Sequence, residues 1–163
     1  ISVHCLVNHF LDCYGYTGNF VVIKAIAWFD VWSIEHLLSG LSVGHAVRRA
    51  NHRAYRDKLD LAPESVRTRY FDVIVLGFVA YFWETIEHYL ETGLAGSWVE
   101  YWFHGVEFWG NRIITDPLLL VAGYLIVRRF PRLVVPARIC SVIWLLVHVV
   151  IFPHSMYLHE IFS

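Results

Sequence analysis

Glu84 and His88 stand one helical turn apart in WETIEHYL (83–90), and Glu35 adjoins His36 in WSIEHLLSG (32–40). Asp116 follows in ITDPLLLVAG (114–123), and His148 in LLVHVVI (145–151). Imidazole with carboxylate is the donor set that takes Zn, Fe, Cu or Mn, and it also serves general acid–base chemistry. These residues suggest a site in which His36, Glu84, His88, Asp116 and His148 bind one or two divalent metal ions. Glu87 would act as general base, with Glu35, Arg112 and His154 around them. Taken singly, Glu84-x-x-x-His88 is a weak motif, and a lone buried histidine is more often a hydrogen-bonded core residue than a ligand. The case rests on the depth these residues share.

The elements that must position them are membrane spans. Of the 163 residues, 57% are hydrophobic and only 17% charged, against about a quarter charged in an ordinary soluble domain. The apolar windows long enough to cross a bilayer run over 20–47, 70–90, 113–127 and 136–157, with Pro117 suited to a first helical turn. An all-α bundle of about four spans is therefore expected, and residues 1–163 form a single integral-membrane domain.

Arg48, Arg49, Arg53, Arg56, Lys58, Arg67 and Arg69 lie between the first two spans, and Arg128, Arg129, Arg132 and Arg138 between the last two. Basic loops stay on the cytoplasmic side, which turns both visible termini outward. The outer loop SWVEYWFHGVEFWG spaces Val99, Trp102, Val106 and Trp109 as one helical face. An amphipathic helix over 97–109, lying in the interface, is the expectation. Its Glu100, His104 and Glu107 are ligand-like but read as solvated. His45 and His52 join the basic inner surface.

Depth follows from the helical rise. At about 1.5 Å per residue, His36 stands roughly 18 Å and Asp30 roughly 27 Å above Arg48. On the same scale Glu84 and His88 stand roughly 22 and 28 Å above Arg69, and Asp116 and Arg112 roughly 18 and 24 Å above Arg128. His148 and His154 come roughly 15 and 24 Å above Arg138. All four spans thus carry ionisable groups from mid-membrane to the outer interface, and the inner halves of the last three carry almost none. Such groups face a bundle interior or a wet cavity. Ser33, His36, Gly40 and Gly44 share a helical face, and Gly40-x-x-x-Gly44 permits close approach of another helix. Asp116, Leu120 and Gly123 share another.

Other uses of the same residues stay open. The polar cluster also fits a structural network in an accessory subunit of a larger membrane complex, or in a homo-oligomer. His36 and His148 could hold a b-type haem, although haem iron is poorly matched to a crowd of carboxylates. An ion pathway would need acidic groups continuing toward the inner side. The lipid bilayer is the expected partner, and a nucleic acid is not. Cys5, Cys13 and Cys140 form no CxxC pair; Cys5 and Cys13 suit either a disulfide or two free thiols. The chain opens at ISVHCLVNHF without Met, which fits a removed leader or an absent true N-terminus.

From Trp32 to Pro131 the chain resembles a family of small bacterial inner-membrane proteins known only as a domain of unknown function, distantly similar to VanZ-like proteins. The likeness lies in EHLLSG (35–40), WETIEH (83–88) and GNRIITDPLLLVAGYLIVRRFP (110–131). It implies roles for His36, Gly40, Glu84, Glu87, Asn111, Asp116 and Gly123 and a multi-pass bacterial plasma-membrane location. Ser39 stands where the family tends to have a second His, His88 stands where it has Asn, Asn111 is offset by about a residue, and the last span matches poorly. The family's activity is uncharacterised. VanZ-like proteins are linked to glycopeptide resistance and the cell envelope, which implies a lipid-like substrate.

Overall fold

A computed structural model describes residues 28–55, 65–103 and 107–152. Cys5, Cys13, Arg56, Lys58, His104, His154 and the first residues of the expected first span lie outside this set. The described residues are helical throughout their ordered elements, without strands. Helix α1 spans Val31–Ala54, α2 Val66–Glu91, α3 Ser97–Trp102, α4 Asp116–Arg129 and α5 Val134–Ile151. A π-helical turn, Asn111–Thr115, leads into α4, and a 3-10 turn, Pro131–Leu133, leads into α5. Pro117 falls in the first turn of α4, where its missing N–H costs no hydrogen bond.

Two helices, Val66–Glu91 and Pro131–Ile151 with its leading turn, are long and apolar enough to cross a membrane. The outer faces of both are apolar: Phe78, Phe82 and Ile74 on α2 are exposed, as are Val135, Val142 and Val150 on α5. Among the described residues, buried polar and ionisable side chains outnumber the buried hydrophobic ones, whereas water-soluble proteins bury mainly apolar residues.

Within the apolar window 20–47 a helix start falls at Asp30, and residues 20–27 lie outside the described set. Helix α1 begins at Val31 because Asp30 caps it: the Ser33 N–H donates to Asp30 Oδ1 (3.0 Å) and the Asp30 N–H donates to Ser33 Oγ (3.1 Å). This reciprocal box satisfies two backbone donors that a helix start leaves orphaned. The expected interfacial helix is cut short. It is helical over Ser97–Trp102 and irregular at Glu107 and Phe108. Glu107 is drawn inward instead, its N–H donating to Glu91 Oε2 (3.4 Å), and a surface helix through it would point that carboxylate at solvent.

Helices α1 and α4 form the most extensive pairing, with α5 packed on α1 and α2 on both. The pairing is backbone against backbone. A Cβ on Gly40 would overlap the Leu120 carbonyl, and one on Gly123 would overlap the Leu37 carbonyl. One on Gly44 would come within 2.8 Å of Tyr124 Cβ. Van der Waals contact at such a seam grows with every atom pair brought close. Glu35 faces away from it, accepting hydrogen bonds from Ser39 (3.2 Å) and from Ser141 on α5. Trp144 adds a second tie, donating to the Val31 carbonyl (3.3 Å). The adjoining Glu35 and His36 therefore serve different interfaces, one to α5 and one to the interior.

The inner halves, expected to hold almost no ionisable groups, do hold Asp72. It is 2% exposed, three residues beyond Arg69, and accepts from Asn51 Nδ2 on α1 (2.7 Å) and Tyr124 OH on α4 (2.9 Å). It locks three helices together. Leu76 and Ala80, both buried, separate it from Glu84, so the two acidic regions form no continuous polar path. Asp72→Ala is expected to cost about 2–3 kcal/mol, the worth of hydrogen bonds to a charged group plus two stranded donors. Denaturant melts of the detergent-solubilised chain measure it; an unchanged midpoint would show the lock to be idle.

Candidate metal centre

His36 reaches the interior because Ser33, His36, Gly40 and Gly44 lie on one buried stripe of α1. Its Nε2 is 3.4 Å from Asp116 Oδ2 and 3.6 Å from Glu84 Oε1. Asp116 enters from the first turn of α4 and is fully buried; Glu84 enters from α2 and is 4% exposed. Three helices thus converge on one point. Glu84, Glu87 and Glu91 follow one another at i, i+3 and i+7 on α2, and all three are buried.

An outer shell closes over this point. Arg112, in the π-helical turn, donates to Glu91 Oε2 (2.5 Å) and to His88 Nδ1 (3.1 Å). It also approaches Glu84 Oε2 (3.5 Å) and Glu107 Oε2 (3.6 Å). Asn111 donates to Glu107 Oε1 (2.6 Å), and Ser33 Oγ donates to Asp116 Oδ1 (3.1 Å). The extra residue per turn of a π-helix, a feature common at functional sites, brings both Asn111 and Arg112 inward. Burial first, and then the adjoining Asp30 carboxyl, push the Glu107 carboxyl well above the usual carboxylate range.

The donors left over are informative. Neither carboxylate oxygen of Glu84, nor Asp116 Oδ2, nor Asp30 Oδ2 accepts a hydrogen bond, although all are buried. Buried carboxylates without donors are strongly unfavourable unless a proton or a cation meets them. Two groups of three side chains bring their ligand atoms within 4.8 Å of one another: His36 with Glu84 and Glu87, and Glu84 with Glu107 and Asp116. Both sets are fully buried and suit a divalent ion.

The six residues expected from sequence divide accordingly. His36, Glu84, Glu87 and Asp116 come together. Glu87, expected as a base, stands among the ligand atoms, while His88 is exposed and lends its Nδ1 to Arg112. Positions three and four residues after Glu84 flank it on opposite sides, so the rotation of α2 decides which of them turns inward. His148 is buried elsewhere, its ring edge-on to Trp32 at 4.4 Å. Glu91, in the last turn of α2, and Glu107, read from sequence as solvated, belong to the buried cluster. The i, i+3, i+7 spacing of Glu84, Glu87 and Glu91 is the sequence signal for the first; for Glu107 it is the ligand-like grouping with Glu100 and His104.

Beside the cluster, Trp32, Leu90, Trp98, Val99, Trp102, Phe103, His148 and Val149 enclose an apolar groove of about 500 Å³. Trp32 is one helical turn before His36, so the groove adjoins the centre along α1. No protein-family model, no characterised protein and no solved structure matches the chain.

Proposed function

We propose that this chain is a four-span bacterial plasma-membrane protein that holds a divalent metal ion between His36, Glu84 and Glu87, and that it acts on a lipid-like substrate. The observation carrying the reading is the buried Glu84 carboxylate, which has His36 and Arg112 nearby but no hydrogen-bond donor on either oxygen. Helices α1, α2 and α5 supply three crossings. The continuous helical run from Asn111 to Arg129 supplies the fourth, at about 1.5 Å per residue long enough for most of the hydrocarbon core. The apolar exterior and polar interior support a lipid setting.

An imidazole with two carboxylates suits Zn, Fe or Mn more than the softer Cu(I). Such an ion supplies Lewis acidity or an activated water. The chain's own residues would place the ligands: Ser33 Oγ donates to Asp116 Oδ1, and the buried stripe of α1 turns His36 Nε2 toward Glu84 and Asp116. The groove lined by Trp32, Trp98 and Trp102 has the size and apolar lining to seat an acyl or isoprenoid chain beside the centre. The resemblance to a membrane family of unknown function, whose carried-over positions His36, Glu84, Glu87, Asn111 and Asp116 fall in the cluster, and that family's distant likeness to VanZ-like proteins favour an envelope lipid.

The grip of Arg112 on Glu91 favours a second reading, in which the cluster is an interhelical network in an accessory subunit. Metal analysis by plasma mass spectrometry on chain purified without chelator or His-tag separates the two. At least one equivalent of Zn, Fe or Mn is expected, falling below about a tenth of that in His36→Gln/Glu84→Gln. A wild-type protein that stays metal-free after divalent ions are added back overturns the metal reading and leaves the structural one.

A further inference from the structure

Glu84 belongs to both groups of potential ligands. One group is His36, Glu84 and Glu87; the other is Glu84, Glu107 and Asp116, all oxygen donors. From this geometry we infer that the centre is dinuclear: a second divalent ion of the oxygen-preferring class sits between Glu84, Glu107 and Asp116, with Glu84 bridging the two. The inference rests on the metal reading above and extends it.

Three observations carry it. Glu84 has two buried oxygens and neither accepts a hydrogen bond, which is the state of a carboxylate arranged to give one oxygen to each of two ions. Asp116 Oδ2, on a fully buried side chain, is likewise without a donor, while Oδ1 is held by Ser33. One oxygen is thus positioned by the protein and the other is left to a ligand.

Charge balance is the third. Among the described residues the carboxyl groups of Asp30, Glu84, Glu87, Glu91, Glu107 and Asp116 are all buried, and Arg112 pairs with Glu84, Glu91 and Glu107. With Arg112, one divalent ion offsets three of six ionised carboxylates and two ions offset five. In a low-dielectric interior the more nearly neutral assembly is the favoured one. Arg112 pairs with two members of the second group, at 3.5 Å to Glu84 Oε2 and 3.6 Å to Glu107 Oε2, while its closest contact is Glu91.

The donors also differ in kind. The first position includes an imidazole, which suits Zn, Fe and Mn; the second is carboxylate only, which suits Mn or Mg. Mn²⁺ is therefore the probe that fills both. The full chain, in detergent and stripped of metal, is loaded with Mn²⁺, desalted and analysed for Mn per chain by mass spectrometry and for spin coupling by low-temperature electron paramagnetic resonance. Two Mn per chain are expected, with the broadened multiline signal of a coupled pair, since carboxylate-bridged ions lie about 3.5–4 Å apart. Glu107→Gln, which keeps an oxygen for the Asn111 hydrogen bond, is expected to hold one Mn with an uncoupled six-line spectrum. One Mn per wild-type chain with an uncoupled spectrum, unchanged in Glu107→Gln, overturns the second ion and leaves the mononuclear reading standing. No retained Mn, Zn or Fe in the wild type overturns both. The wild-type spectrum decides the matter even if the variant fails to fold.

Discussion

Gly123→Ala is expected to destabilise the bundle by about 3 kcal/mol or more, enough to cut its accumulation in the membrane severely. Overpacking a well-filled core usually costs about 1–3 kcal/mol because side chains can turn aside. Here the new methyl meets backbone: the Leu37 carbonyl, and then Gly40 Cα and Leu41 N, both at 2.8 Å. Backbone cannot rotate out of the way, so α1 and α4 must separate. Separation removes the contacts along the whole seam and pulls His36 away from Asp116, which are now 3.4 Å apart. Gly40→Ala is expected to behave the same way, because its methyl meets the Leu120 carbonyl. Gly77→Ala is the control: nothing lies within 4 Å of a Cβ there, and alanine in a helix is favoured by about 1 kcal/mol over glycine. Melting curves of the three variants in one detergent make the comparison. If Gly123→Ala melts with Gly77→Ala, α1 and α4 do not meet through these glycines.

Arg112→Met is expected to cost about 3–5 kcal/mol in the metal-free protein, the usual result of removing one partner of a buried ion pair. The arginine is 8% exposed and is the guanidinium shared by Glu84, Glu91 and Glu107. Methionine keeps much of the volume but leaves Glu84, Glu91 and Glu107 without the guanidinium between them. Arg112→Lys retains the charge and loses the fork that lets one side chain serve Glu91 and His88 together, so an intermediate loss is expected. The double variant Arg112→Met/Glu91→Gln removes the charge that Arg112 grips most closely. It is expected to be more stable than Arg112→Met alone by at least about 1 kcal/mol, as coupled neighbours behave. Strict additivity of the two substitutions would sink the shared-guanidinium account.

These two expectations separate what kinds of information place the cluster. Helical periodicity puts Ser33, His36, Gly40 and Gly44 on one stripe, and all four are buried. It does the same for Asp116, Leu120 and Gly123. Scarce charge in an apolar segment marks Glu84 as interior, because a carboxylate facing lipid is too costly to keep. Those inferences use only local spacing and transfer energies, and both can be read from a string of letters.

The partner of each group could not be read that way. Glu35 and His36 are neighbours in sequence, but a helix turns about 100° per residue, and Glu35 is held by Ser141 on α5 while His36 meets α2 and α4. Glu107 looked like a solvated interfacial residue until Asn111, Glu91 and Arg112 closed around it. Asp72 sat beside a basic boundary and gave no sign that Asn51 and Tyr124 would bury it. The sequence by itself determined a helical chain with apolar outer faces and an inward-facing stripe of polar and small residues, because composition and a period of 3.6 residues are local properties. Only the tertiary structure decided that Glu87 rather than His88 faces His36, that His148 packs on Trp32, and that Arg112 sits among the carboxylates. Each of those outcomes depends on the rotation and separation of whole helices, which are set by backbone contacts at Gly40, Gly44 and Gly123 between segments about eighty residues apart.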